Sequence, residues 1–236
     1  MPTARTRRTA ARRRPRKRLP AAQRRALTLE RVKELFARRG FAGSTSRQLA
    51  RAAGVNEALL YRMFGTKQGL FAALIEREIA QAGEAIFERE AAARGDDEGV
   101  FGTVARELLK RLEADPAFFR LMLYSGLEEH ELAEMFYQAR VKRLNGFLAD
   151  YVRRRQREGA FRSELDPELL ALTFIGMVVH YALAVQIFGR EEFRRPPEQV
   201  ARSCVGVLLE GVRSRPAGRL SAQQSPGAGA RLEDER

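Results

Sequence analysis

The stretch TSRQLARAAGVNEALLYRMFGTK, residues 45–67, constrains this chain more than any other. It reads as two short helices joined by a tight turn. Over residues 47–53, Leu49, Ala50 and Ala53 share one face. Gly54 breaks the first helix, and Val55 packs behind the turn. Asn56 stands where an N-cap belongs, ahead of a second helix over residues 57–64. Leu60 and Phe64, four apart, face inward together. Glu57, Ala58, Tyr61, Arg62 and Met63 are left to face something else. A short helix with a small buried face, held beside another, is the arrangement of a helix-turn-helix that enters a DNA major groove.

The rest of the chain repeats the helical period. Leu29, Val32, Leu35 and Phe36 predict a helix from about residue 21 to 39, ended by Gly40. A fourth helix is expected from Lys67 to about residue 93, with Leu70, Phe71, Leu74, Ile75, Ile79 and Ile86 inward. At ~1.5 Å per residue it would span roughly 40 Å and belong to both halves of the molecule. GDDEG, residues 95–99, reads as a loop, and residues 100–114 as a helix stopped at Asp115-Pro116. Asp115 should cap the next helix, with Pro116 in its first turn. An amphipathic helix follows over residues 128–158, and Asp166-Pro167 and Pro196-Pro197 open the last two. No useful period-2 segment appears, so the chain reads as all-α, with about nine helices.

Charge is unevenly placed. The chain has 43 Lys and Arg against 30 Asp and Glu, a net +13. Residues 1–25 hold eleven of the basic groups and no acid, which leaves 32 against 30 elsewhere. Residues 1–20 are expected to be a disordered basic arm, and residues 214–236 a disordered tail. Two readings of the arm stand: a solvated tail, or an extension that adds phosphate or minor-groove contacts. No apolar segment follows the arginines, which argues against a secretory signal. One cysteine, Cys204, excludes an internal disulfide and a thiolate zinc cluster, and it fits a reducing cytoplasm. Residues 169–188 have the length of a membrane span, but Thr173, His180 and Gln186 interrupt them. A helix buried on all sides is the expectation instead.

Residues 29–76 resemble the DNA-binding domain of the TetR family of bacterial regulators. ELFARRGF, Thr45 and Ser46, QLARAAGV, LYRMF, Lys67 and GLFAAL carry the resemblance in that order, over about a fifth of the chain. It implies a three-helix DNA-binding domain over residues 21–66 and a helical ligand-binding and dimerisation domain over residues 67–213. It further implies a homodimer that binds double-stranded DNA and is released by a small-molecule effector, with no cofactor. Tyr61 and Lys67 look like the family's phosphate contacts. Thr45 caps the first motif helix and can offer its hydroxyl to a phosphate. Ser46, Arg47, Asn56 and Leu59 are expected at the same surface. Ala58 can touch a thymine methyl and Arg62 can donate to guanine; Glu57 either accepts from cytosine or only stabilises its own helix.

In the second half Phe87, Phe118, Met122, Phe136, Phe147, Tyr151, Met177, His180 and Tyr181 supply the mixture that suits an apolar pocket, although ordinary core explains any one of them. Gly176, Cys204 and Gly206 are candidates for a two-fold helix interface, because a mid-helix Gly costs ~1 kcal/mol relative to Ala unless helices approach there. The sequence has no nucleophile motif, phosphate loop or metal-ligand spacing that would indicate an enzyme. A DNA-binding protein without a small-molecule effector is the rival reading. Tyr61→Phe or Lys67→Ala should weaken binding to all DNA sequences alike, whereas Arg62→Ala should also change the preferred sequence. A binding selection with Arg62→Ala that returns the wild-type preference would refute base reading by Arg62.

Overall fold

The structure, a computed structural model, describes residues 20–81, 83–128 and 131–214. The basic arm up to residue 19 and the tail beyond Ser214 lie outside them. The helices are α1 (Ala21–Arg39), α2 (Ser46–Ala53), α3 (Glu57–Phe64), α4 (Lys67–Gln81), α5 (Arg89–Arg94), α6 (Asp97–Ala114), α7 (Pro116–Leu127), α8 (Glu131–Phe136), α9 (Lys142–Arg157), α10 (Pro167–Ala182) and α11 (Pro197–Val212). Among the described residues no strand occurs, only an isolated bridge between Phe161 and Arg213. The chain is all-α, as its periodicity predicts.

Four features differ from expectation. The predicted helix over residues 67–93 is broken: α4 stops at Gln81 and Gly83 opens a single turn, Glu84–Ile86. Its apolar positions serve two cores. Leu70 to Ile75 pack with α1 to α3, whereas Ile86 and Phe87 pack with α6 and α9. The break lets each set reach its own core. At 15 residues α4 is roughly 22 Å long, too short to be a lever through both halves. The loop expected over residues 95–99 shrinks to Gly95-Asp96, because the Asp96 carboxylate accepts from the Gly99 N–H at 2.8 Å and starts α6 early. The helix expected over residues 128–158 is α8 and α9, joined by a π turn, Tyr137–Val141. Lastly, α10 is not buried on all sides. Helices α6, α9 and α11 cover Ala171, Phe174, Ile175 and Val178, while Leu169 and Leu172 are 60% and 57% exposed.

Helix α7 joins the two halves. Leu121, fully buried, belongs to the core that α1 to α4 make. At its start Asp115 caps the helix through the Phe118 N–H and also meets the Lys33 ammonium at 2.5 Å. Lys33 lies buried on α1, 3.2 Å from Glu30 and 3.6 Å from Glu78. Arg77 of α4 closes the group, 2.7 Å from Glu30 and 2.8 Å from Glu78. At the other end, the Glu128 carboxylate accepts from the Phe41 N–H at 3.0 Å. It lies against Gly40, where a Cβ would meet it at 2.2 Å and where φ is +69°. The positive φ is what requires glycine at this position.

The ionic group makes stability pH-dependent. Burial opposes ionisation of Glu30, but Arg77 and Lys33 outweigh it and hold the carboxyl below its ordinary 4.5. Its folded pKa is therefore depressed, so its stabilisation is present above 4.5 and lost as pH falls through the folded value. Glu30→Gln should flatten the acid limb of a stability-versus-pH curve. The curve should coincide with that of the wild type at the lowest pH and fall below it near neutrality.

Candidate nucleic-acid interface

The helix-turn-helix is held by local bonds that its sequence announces. Thr45 Oγ1 accepts from the Gln48 N–H at 3.3 Å, and Gln48 Oε1 accepts from the Thr45 N–H at 3.1 Å. This reciprocal cap starts α2 at Ser46, one residue earlier than the periodicity alone places it. Gly54 ends α2 at φ 71°, ψ 33°, a left-handed conformation that favours glycine. The Val55 N–H then closes onto the Ala50 carbonyl at 3.0 Å. Asn56 Oδ1 accepts from the Leu59 N–H at 2.8 Å and starts α3. Leu60 and Phe64 are buried, as their spacing requires.

What remains outward is the candidate surface. Thr45, Arg47, Asn56, Glu57, Ala58, Tyr61 and Arg62 are exposed, and Ser46, Leu59, Met63 and Lys67 are half-buried. Besides the capping groups of Thr45 and Asn56, three of these side chains are already engaged. The Tyr61 hydroxyl donates to Ser46 Oγ, tying the start of α2 to the middle of α3. Tyr61 then has only its oxygen lone pairs free, and the Ser46 hydroxyl is left to donate outward. The Lys67 ammonium lies 4.2 Å from the centroid of the Phe41 ring. Burial lowers its pKa, with Glu128 opposing.

Three supporting residues escaped the sequence reading. Arg25 donates to the Met63 carbonyl at 2.6 Å and its guanidinium lies 4.3 Å from the Phe64 centroid. Its place on the first helix is expected from the sequence; its seat against the end of α3 is not. Arg31 donates to the Ala53 carbonyl at 2.9 Å, and a Cβ at Gly54 would come within 2.9 Å of it. Gln48 completes the cap of α2. Only the Gln48 contact has a local signal, the Thr-x-x-Gln spacing.

The predicted ligand residues do not surround one cavity. Phe118, Met122 and Phe136 pack on the core of α1 to α4, where the Phe118 and Phe136 centroids are 5.3 Å apart. Phe87, Phe147, Tyr151, Met177 and Tyr181 belong to the other core. Phe87 meets Phe147 edge-on at 5.5 Å. The Tyr151 hydroxyl donates to Asp97 at 2.6 Å; burial and Asp97 push its pKa above the usual phenol range. Tyr181 accepts from the Arg195 N–H at 2.8 Å and lines a small recess. His180 is exposed on α10, so it faces neither core. A larger groove of about 470 Å³ opens elsewhere, between α6 and α11, lined by Glu98, Arg106, Glu198, Arg202 and Arg213 among others. Gly176 and Gly206 lie on exposed faces, and a Cβ added at either meets nothing in this chain. Cys204 is half-buried, and burial raises its thiol pKa.

Comparison with known proteins agrees with this architecture. Residues 29–74 match the bacterial regulatory proteins of the tetR family, and residues 104–211 match the C-terminal domain of AefR-like transcriptional repressors. The HTH-type transcriptional regulator YvkB of Bacillus subtilis is 22% identical over 78% of this chain and 94% of its own length. The HTH-type transcriptional repressor AcnR of Corynebacterium glutamicum is 33% identical over 38% of this chain and 51% of its own. AibR, solved with isovaleryl coenzyme A and operator DNA, shares the fold at a TM-score of 0.57 and 22% identity, over 79% of this chain and 98% of its own. With a reading head and a C-terminal helical half that both match, the chain belongs to the tetR family of bacterial transcriptional regulators.

Proposed function

We propose that this regulator is a homodimeric repressor that binds a palindromic operator and is released by a small molecule. The observation that carries the DNA half is α3. Its N-terminal residues Glu57 and Ala58 are exposed, while Leu60 and Phe64 anchor it from behind. Base edges are met at this end of a recognition helix. Thr45, Ser46, Arg47 and Lys67 contact phosphates, with Tyr61 orienting Ser46, and Asn56 to Arg62, with Met63 at the edge, line the groove. The Tyr61–Ser46 bond favours Ser46 as the hydroxyl that donates to phosphate. Arg25 brings the start of α1 beside the end of α3, which favours a DNA-facing role for the basic arm before it.

The exposed faces of α10 and α11 support the dimer. Leu169, Leu172 and Gly176 on one helix, and Gly206 and Val207 on the other, leave apolar surface open to water. A second copy would cover it, and the glycines would let the helices approach closely. Cys204, half-buried on α11, lies at the edge of that face. AibR's isovaleryl coenzyme A makes an effector the natural reading for a protein of this fold. Because α7 packs on α1 and also meets the turn Leu183–Ile187 that continues α10, an effector that favours another setting of α7 would change the spacing of the two reading heads.

Sequencing DNA recovered with the purified protein should return a two-fold palindrome with half-site centres roughly 34–36 Å apart. Recovery of random sequence would overturn the operator reading. Leu172→Glu should give a monomer by light scattering with wild-type helicity, and operator affinity should fall by about a hundredfold or more, because each half-site is then held alone. A dimer unaffected by Leu172→Glu together with Val207→Glu would remove α10 and α11 from the interface.

A further inference from the structure

Where α4 ends, four guanidiniums gather round one turn of chain. Arg111, in the last turn of α6, donates to the Gly83 carbonyl at 3.1 Å. Arg140, in the π turn between α8 and α9, donates to the same oxygen at 3.4 Å. One turn on, Arg143 grips both oxygens of Glu84 at 2.7 Å each. Its guanidinium also lies 4.6 Å from the centroid of Phe87, which packs edge-on against Phe147. Arg89, at the start of α5, adds to the positive field at Glu84.

This arrangement is electrostatically incomplete. The charged groups that act on Arg140 are Arg111 and Arg143, both cationic, and Glu84. Burial and these two arginines push the Arg140 guanidinium below its ordinary range, with Glu84 opposing. Two cations converge on one neutral carbonyl oxygen, a weak return for the repulsion between them. The nearby carboxylate is on an exposed side chain, 60% accessible, so it can swing into water at small cost. The π turn is what aims Arg140 at this point; such turns recur at functional sites.

We infer that Arg111, Arg140 and Arg143 form a binding site for a phosphate group, with the Glu84 carboxylate occupying it when the phosphate is absent. Three guanidiniums carry three positive charges, of which Glu84 neutralises one. A phosphate dianion balances them better than a second carboxylate, and its tetrahedral oxygens suit planar forks approaching from different helices. Phe147, half-buried beside Phe87, offers a small apolar flank, so a phosphate carried on an apolar chain is a ligand to test beside a free one. Binding would displace Glu84 and draw Arg111 and Arg140 off the Gly83 carbonyl. That carbonyl lies two positions beyond α4, whose Leu70 to Ile75 pack under the reading head. As an effector site this rests on the ligand-responsive reading above; the test below uses no DNA, so its failure and that reading's are separate.

The test is calorimetric titration of the full chain, at constant ionic strength in chloride, with inorganic phosphate and with dodecyl phosphate below its micellar concentration. Saturable one-site binding is expected for both, tighter for dodecyl phosphate if the apolar flank is used and equal if free phosphate is the ligand. Arg140→Gln should weaken both about tenfold, the loss of one charge-assisted contact. Glu84→Gln should strengthen both severalfold by removing the internal competitor. It alters an exposed side chain, so it keeps the test decisive should Arg140→Gln fail to fold. No saturable binding in the millimolar range, or affinities unchanged in both variants, would overturn the site.

Discussion

The grip of α7 on α1 is the constraint on which the reading head depends. Leu121 gives the three-helix unit part of its core, and Asp115 and Glu128 hold α1 and the turn after it at either end of α7. Three helices of 19, 8 and 8 residues bury little surface between them. A fourth and a fifth layer, α4 and α7, complete it. The buried ammonium of Lys33 shows how exacting the joint is. Burial alone would lower its pKa, yet Asp115, Glu78 and Glu30 raise it. Removing one carboxylate would leave a charge poorly compensated in a place where water cannot replace it.

That joint changes where communication between the halves should be sought. A continuous fourth helix would have been a rigid rod through both cores. Instead α4 ends at Gln81, and the chain turns beneath Arg111 and Arg140 before Ile86 and Phe87 enter the second core. Contact between the halves is therefore made by side chains on α7, by Met135 and Phe136 of α8 and by a short polar turn after α4. The joint at the start of α7 and the turn after α4 are arrangements of charge, and charge pairs have alternative partners. Close-packed apolar cores do not readily offer two settings.

The reading head was legible from its residues because its determinants are local. Thr45, Gly54 and Asn56 each act within four positions of chain, and each stands as its type and place predict. The candidate pocket was not legible, for the opposite reason. Phe118 and Phe147 look alike in sequence, and only the path of α7 and α9 sends them to different cores. His180 lies on a helix of apolar residues, but its face is the one the chain leaves uncovered. Periodicity tells which residues share a face, not what that face meets.

The sequence by itself determined the all-α class, the helix-turn-helix with its caps and turn, and the placement of net charge ahead of the first helix. Those rest on hydrogen bonds between residues a turn apart and on side-chain periodicity. Tertiary structure alone decided that α4 breaks, that Lys33 is buried among carboxylates from three elements, that Arg25 seats the end of α3, and that Arg111, Arg140 and Arg143 meet. Lys33 and Asp115 are 82 positions apart, and Gly83 and Arg140 are 57 apart. Nothing in a local pattern ties such pairs; the packing of helices around two cores brings them within hydrogen-bond reach.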